Sequence, residues 1–194
     1  MRRSKLGDVY SVKLPNGYKL FQRAYDIPRK GRFVRVFDGL YERIPENIGE
    51  IVAGPHSYII GFYASRAYRI GLVQFVENYP VPEEYPFPEY QFKFYQKPSG
   101  KYNITVQTIE VTRGRCFEVN SMADLPEEFR DLKLLSPCLS PDLILWLFDT
   151  NWSLSNLAGF YPGEPGEDWD IILKPYSDMV DEALANDPLK KKKK

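Results

Sequence analysis

One histidine and two cysteines in 194 residues exclude several kinds of chemistry. His56, Cys116 and Cys138 cannot assemble the four nitrogen and sulfur ligands of a structural zinc site. Two cysteines make no disulfide framework in a chain of this length, and they read as packed free thiols of a reducing cytoplasm. His56, in "GPHSY", follows a Gly-Pro turn at a strand start, and neither cysteine lies in a nucleophile motif. A structural histidine is the expectation, and no catalytic set is assigned. Gly-x-Gly-x-x-Gly and the Walker loop are both missing, so no phosphate cradle is visible. Apolar runs fall short of the ~18 residues that a membrane span requires. The basic start "MRRSKLGDVYS" has no apolar stretch behind it, so a secretory signal is not expected either. The densest acidic stretch, "GEPGEDWD" with Glu164, Glu167, Asp168 and Asp170, lacks the spacing of a calcium loop and reads as a solvated loop. No metal, cofactor or membrane is expected, and the cytoplasm is the expected compartment.

Aromatics and proline are plentiful: 14 Tyr, 12 Phe and 16 Pro. Aromatics suit pleated sheet surfaces and proline punctuates short elements, so the composition leans towards β structure. Formal charge is zero, but it is unevenly placed. Residues 1–35 carry ten basic and two acidic side chains, a balance of +8, whereas residues 36–189 carry eleven and 24, a balance of −13. The closing run of five lysines restores neutrality. Lysines at that density repel one another, so residues 190–194 are expected to be a disordered tail after a single domain over 1–189. Without the tail the body is net −5. That argues against broad nucleic-acid affinity, which depends on Lys and Arg displacing counterions, and favours a basic protein partner.

Along the chain, "VYSVKL" alternates with a period of two, Asn16-Gly17 marks a hairpin, "YKLFQRAY" returns, and "RFVRVFD" reads as a third strand. Three short strands joined by tight breaks predict the front of a small SH3-like antiparallel barrel. Residues 44–55 read as mixed loop. "HSYIIGFYA" and "YRIGLVQFVE" read as strands, with bulges or close approaches at Gly61 and Gly71. "QFKFYQ" and "YNITVQTIEVT" form a second hairpin around "KPSGK", and "CFEV" follows. Leu125, Phe129 and Leu132 fall at helical spacing and predict a helix over 124–134. Residues 141–148, "PDLILWLF", fit a helix or a buried strand. "WDIILKP" reads as a short strand and 176–186 as a terminal helix. The predicted class is mostly β: a barrel-like front half, further antiparallel strands, one or two short helices and a C-terminal helix.

Two surface stretches remain as candidates for binding. Residues 79–90, "YPVPEEYPFPEY", carry four prolines, which enforce an extended surface segment. Glu83, Glu84, Tyr85 and Phe87 on that stiffened backbone fit a partner surface, and the same aromatics fit a wrap over the protein's own core. Asp168-Trp169 is the second candidate. The main competitor is a nucleic-acid-binding small barrel. For it Arg2, Arg3, Lys5, Arg29, Lys30, Arg32 and Arg35 supply the charge, with Phe33, Phe37 and Tyr25 among them; Arg29, Lys30, Arg32 and Arg35 read instead as a solvated face. An enzyme using carboxylates that the sequence does not place is the remaining alternative.

"GDVYSVKLPNGYKLFQRAYDIPRKGRFVRVFDG" resembles the start of the immunity protein 26 family of bacterial polymorphic toxin systems. The likeness rests on Gly7-Asp8 before the first strand, Asn16-Gly17 at the hairpin, Arg23 in the return strand and "VRVFD" closing the third. It implies a mostly β, non-enzymatic protein that binds and neutralises a cognate toxin. Toxins of such systems are often nucleases, whose basic substrate faces would attract an acidic partner.

Overall fold

The computed structural model describes residues 3–27, 31–96, 101–108, 114–130, 133–135, 140–150 and 169–188. Arg29, Lys30, the core of the "KPSGK" turn, Leu132, Cys138, Asp168 and the lysine tail all lie outside those residues.

Strand outweighs helix, so the mostly β class is what the molecule has. The predicted first hairpin is present as β1 (Asp8–Leu14) and β2 (Gly17–Ile27). Its register pairs Leu14 with Gly17, so Pro15-Asn16 make the turn and Gly17 opens the return strand. Next come β3 (Gly31–Val36), β4 (Tyr58–Gly61) and β5 (Gln74–Asn78), and β5 pairs back onto β1. A second antiparallel block consists of β6 (Tyr90–Gln96), β7 (Tyr102–Thr108) and β8 (Arg115–Val119). The two-residue β9 (Leu134–Leu135) runs parallel to both β4 and β6 and joins the blocks in the order β5-β1-β2-β3-β4-β9-β6-β7-β8. The front half is therefore not a closed barrel. The edge of β4 that would close onto β5 is taken by β9, and the sheet runs on.

The period-two patterning of β1 and β2 sorts two sets of side chains, and both are buried. Tyr10, Val12, Phe21, Val34, Val36, Tyr58 and Ile60 face one side and pack with the helices α3 (Pro141–Asp149) and α4 (Trp169–Ala185). Val9, Leu20 and Phe37 face the other, under Ile48 and Val52 of the short helix α1 (Ile48–Ala53). Beside them Ala24, Tyr25, Phe33 and Ile59 lie beneath Val81 and Phe87 of the Pro-rich segment. The central strands thus have cover on both faces.

Several predicted elements take other forms. The "mixed loop" contains α1, and "YRIGLVQFVE" is not one strand. Its start belongs to α2 (Ala64–Arg69), Gly71 lies just past that helix rather than at a bulge, and only Gln74–Asn78 is strand. The helix expected over 124–134 is two 3-10 turns, Met122–Asp124 and Glu127–Phe129. Pro126 is extended between them (φ −49°, ψ 144°), and a proline disfavours helical geometry in the residue before it. Leu125 and Phe129 are still buried, as their spacing suggested. Residues 141–149 are helix. α4 starts at Trp169, so the strand expected in "WDIILKP" is its first turns. Pro175 interrupts its hydrogen bonding from within, yet Ile172, Leu173, Tyr176, Met179 and Val180 pack against the core and hold the helix together. Cys116, expected to be packed, is an exposed free thiol on β8.

Candidate partner surface

The Pro-rich segment is fastened to the sheet at several points. At its start the Tyr79 N–H donates to the Gly7 carbonyl at 3.0 Å, and Gln22 Nε2 donates to the Tyr79 carbonyl at 2.8 Å. Gly7 is at φ 85°, where a side chain is strained, and a Cβ there would collide with the Tyr79 carbonyl oxygen. Further on, the Tyr25 hydroxyl donates to the Tyr85 carbonyl at 2.7 Å. Phe87 lies 5.0 Å from the ring centroids of both Tyr25 and Phe33. Between these anchors the Tyr85 N–H bonds back to the Pro82 carbonyl, making a turn that leaves Glu83 and Glu84 exposed.

Tyr85 and Phe87 are therefore half-buried props of the chain's own sheet, and the charges that the segment offers to solvent are Glu83, Glu84 and Glu89. Glu77 on neighbouring β5 is exposed and accepts from the Tyr79 hydroxyl at 2.7 Å; Glu50 on α1 is exposed as well. Tyr79 also packs against α1 at Gly49. The result is an acidic rim of Glu83 and Glu84 on a backbone fixed by proline and by half-buried rings. Of the second candidate, Asp168 lies outside the described residues and Trp169 is the first residue of α4.

Beneath Tyr85 lies a feature that sequence reasoning missed. Arg35 is wholly buried, not part of a solvated face. Its Nε donates to His56 Nδ1 at 3.2 Å, Nη1 to Gln22 Oε1 at 3.2 Å and Nη2 to the Gly54 carbonyl at 2.9 Å. The guanidinium stands 4.5 Å from the centroid of the Tyr85 ring and 5.3 Å from that of Phe37. No carboxylate of the described residues forms an ion pair with it. Burial lowers its pKa, while the Tyr25 and Tyr85 phenols and the Glu84 carboxylate raise it. His56, also buried, is pushed down to about 3 by burial and by the charges of Arg35 and Lys133. The signal was present in β3: Phe33, Arg35 and Phe37 share one side of a strand whose other side, Val34 and Val36, is apolar.

The same burial breaks up the basic N-terminal third. Lys19 and Arg35 are fully enclosed, and Arg23 is spent on Ser4 and Asp26. Arg32, exposed, contacts Ser65 and Asp26. A phosphate groove running through Arg32 and Arg35 has no surface to occupy. Among the described residues no group of three or more His, Cys, Asp or Glu is placed to hold a metal, and no helix is long and apolar enough to cross a membrane. No family model matches this chain, and neither a curated protein nor a solved structure does.

Proposed function

We propose that this chain is an immunity protein that neutralises a cognate bacterial toxin by binding it, with the acidic rim around Glu83 and Glu84 as the contact. The observation that carries the reading is the division of labour within one segment. Tyr85 and Phe87 hold the backbone down, so the exposed glutamates are presented with little conformational freedom left to lose. Fixed acids on an acidic body steer a basic protein into contact and orient it there. A nuclease toxin has such a basic face, and covering that face would exclude its substrate. The resemblance of residues 7–39 to immunity proteins supports the same reading. Its signature residues are architectural here: Gly7 meets Tyr79, the Asp8 carboxylate accepts from Asn78 Nδ2 at 2.8 Å, and Arg23 pairs with Asp26.

The test is protection. If a gene adjoining this one encodes a toxin domain, that domain is expressed alone and together with the chain, and growth and complex formation are followed. Restored growth together with a co-purifying complex is the expected result. A chain that neither binds nor protects would overturn the reading.

A further inference from the structure

On the opposite side of the sheet from the acidic rim, an apolar cleft of about 340 Å³ opens between α2, α3 and α4. Its size falls within the ~300–1,000 Å³ typical of small-ligand sites. Phe62, Ala67 and Ile70 form one wall, Ile144 of α3 the floor region, and Val180 and Leu184 of α4 the far wall. Tyr63 at the mouth is 71% exposed, unusual for so large a ring. Among the described residues Arg66 is the one charged residue lining the cleft. It is exposed, and no carboxylate of those residues, including the acids of α4, forms an ion pair with it. Its neighbour on the same helix, Arg69, is by contrast engaged with Asp187 at 3.8 Å.

We infer that this cleft binds a small apolar molecule with one anionic head, of the medium-chain carboxylate class, its chain among Phe62, Ile144 and Val180 and its head at Arg66. The apolar walls provide the driving force, since they lose contact with water when a chain enters. A guanidinium at an apolar rim matches a carboxylate in charge and in its paired geometry. Because α2, α3 and α4 sit across the sheet from the Pro-rich segment, this site stands or falls independently of toxin binding.

Decanoate, decanol and decylammonium, each below its micelle concentration, are titrated into the full chain by calorimetry. Methyl resonances of Ile144, Val180 and Leu184 are followed in parallel. Decanoate is expected to bind once per chain and to shift those methyls, decanol to bind about tenfold more weakly, and decylammonium not at all. Arg66→Gln, an exposed substitution that leaves the core alone, should weaken decanoate about tenfold and leave decanol within twofold. Leu184→Trp should close the cleft to both. The inference is overturned if decanoate does not bind with simple stoichiometry, if Arg66→Gln leaves the decanoate–decanol difference intact, or if the shifts fall on methyls elsewhere. Should Leu184→Trp not fold, Arg66→Gln and the methyl shifts decide.

Discussion

Arg35 Nε donates to His56 Nδ1 in a site closed to solvent, so the chain's one histidine must be neutral, with its proton on Nε2. Protonating Nδ1 would put a second positive charge against a buried guanidinium and would remove that guanidinium's acceptor.

The first prediction is a pH dependence. The histidine's folded pKa is depressed to about 3, whereas in the unfolded chain it lies near ~6.5. Between those values the unfolded chain binds the extra proton, so stability falls as pH drops from about 6.5 towards 3 and is flat above that window. At pH 5 the loss from this residue is on the order of 2 kcal/mol. Urea unfolding at pH 7 and pH 5 measures it. His56→Gln keeps an acceptor for Arg35 and should show a smaller drop between the two. Imidazole resonances that titrate in the folded protein near pH 6.5 would contradict the geometry.

Two glycines with positive φ should respond differently to alanine. At Gly7 a Cβ would strike the Tyr79 carbonyl oxygen, at the point where the Pro-rich segment joins the sheet. Gly31 is also at positive φ, 118°, but has nothing within 4 Å of where a Cβ would be. Gly31→Ala should therefore cost about 1 kcal/mol of backbone strain, and Gly7→Ala upwards of ~2 kcal/mol. Equal losses in chemical denaturation would show that the clash is relieved cheaply.

Asp149 ties the two long helices to the first hairpin. Its carboxylate accepts from the Asn16 backbone N–H at 2.9 Å, from Asn16 Nδ2 at 3.1 Å and from the Tyr176 hydroxyl at 2.8 Å. Burial and this carboxylate push the Tyr176 phenol well above its ordinary pKa. Asp149→Ala should cost roughly 2–4 kcal/mol, because three donors lose their acceptor, and Tyr176→Phe about 1 kcal/mol. In the double variant the costs should fall short of their sum by at least ~0.5 kcal/mol. Strict additivity would mean that the hydroxyl contributes nothing through Asp149.

Most of the sheet could be read from the chain because alternating patterns such as Tyr10-Val12-Leu14 against Val9-Ser11 survive burial on either face. What could not be read was which face each set would meet. Sequence spacing alone cannot tell an exposed arginine on a strand from one enclosed by α1 and Tyr85, so Arg35 and Arg32 look alike in the sequence. Short helices were lost for a related reason. α1 and α2 are only six residues each, under two turns and too short for a 3.6-residue period to show, and packing rather than intrinsic preference sets them. Glu83, Glu84, Tyr85 and Phe87 stand out together in the sequence, but the inward packing of Phe87 depends on Tyr25 and Phe33, and that of Tyr85 on Arg35 and His56, all far earlier in the chain.

Burial of Arg35 also bears on the nucleic-acid alternative. Lys19, Arg23 and Arg35 are enclosed, which withdraws three basic side chains of the N-terminal third from any phosphate contact. A mixed-sequence oligonucleotide should show no micromolar binding at physiological salt, measured by fluorescence anisotropy on the unaltered chain. Micromolar affinity with a steep salt dependence would restore that alternative. Replacing Arg35 would not be informative, because it belongs to the core.

The last prediction separates the two halves of the Pro-rich segment. Glu83 and Glu84 are exposed at the turn, so changing both to Lys should lower the melting temperature only modestly, through loss of the Glu84 carboxylate that favours the charged Arg35. Association with a basic toxin should slow about tenfold or more at low salt, with the gap narrowing as salt is added, because steering acts through screened charge. Tyr85→Ala should do the reverse. It removes the ring over the Arg35 guanidinium, which stands 4.5 Å away, and the edge contact with His56 at 5.3 Å. The cation–π contact and the packing of the ring are lost together, and stability should fall by roughly 2–3 kcal/mol. Association rates should change only so far as the turn loosens. Stopped-flow association with the cognate toxin domain, with a melting curve for each variant, decides between these outcomes. If the double lysine variant associates at the unaltered rate, the contact lies elsewhere on the acidic body. If Tyr85→Ala keeps the melting temperature and instead speeds dissociation, the ring is an interface anchor and not a prop.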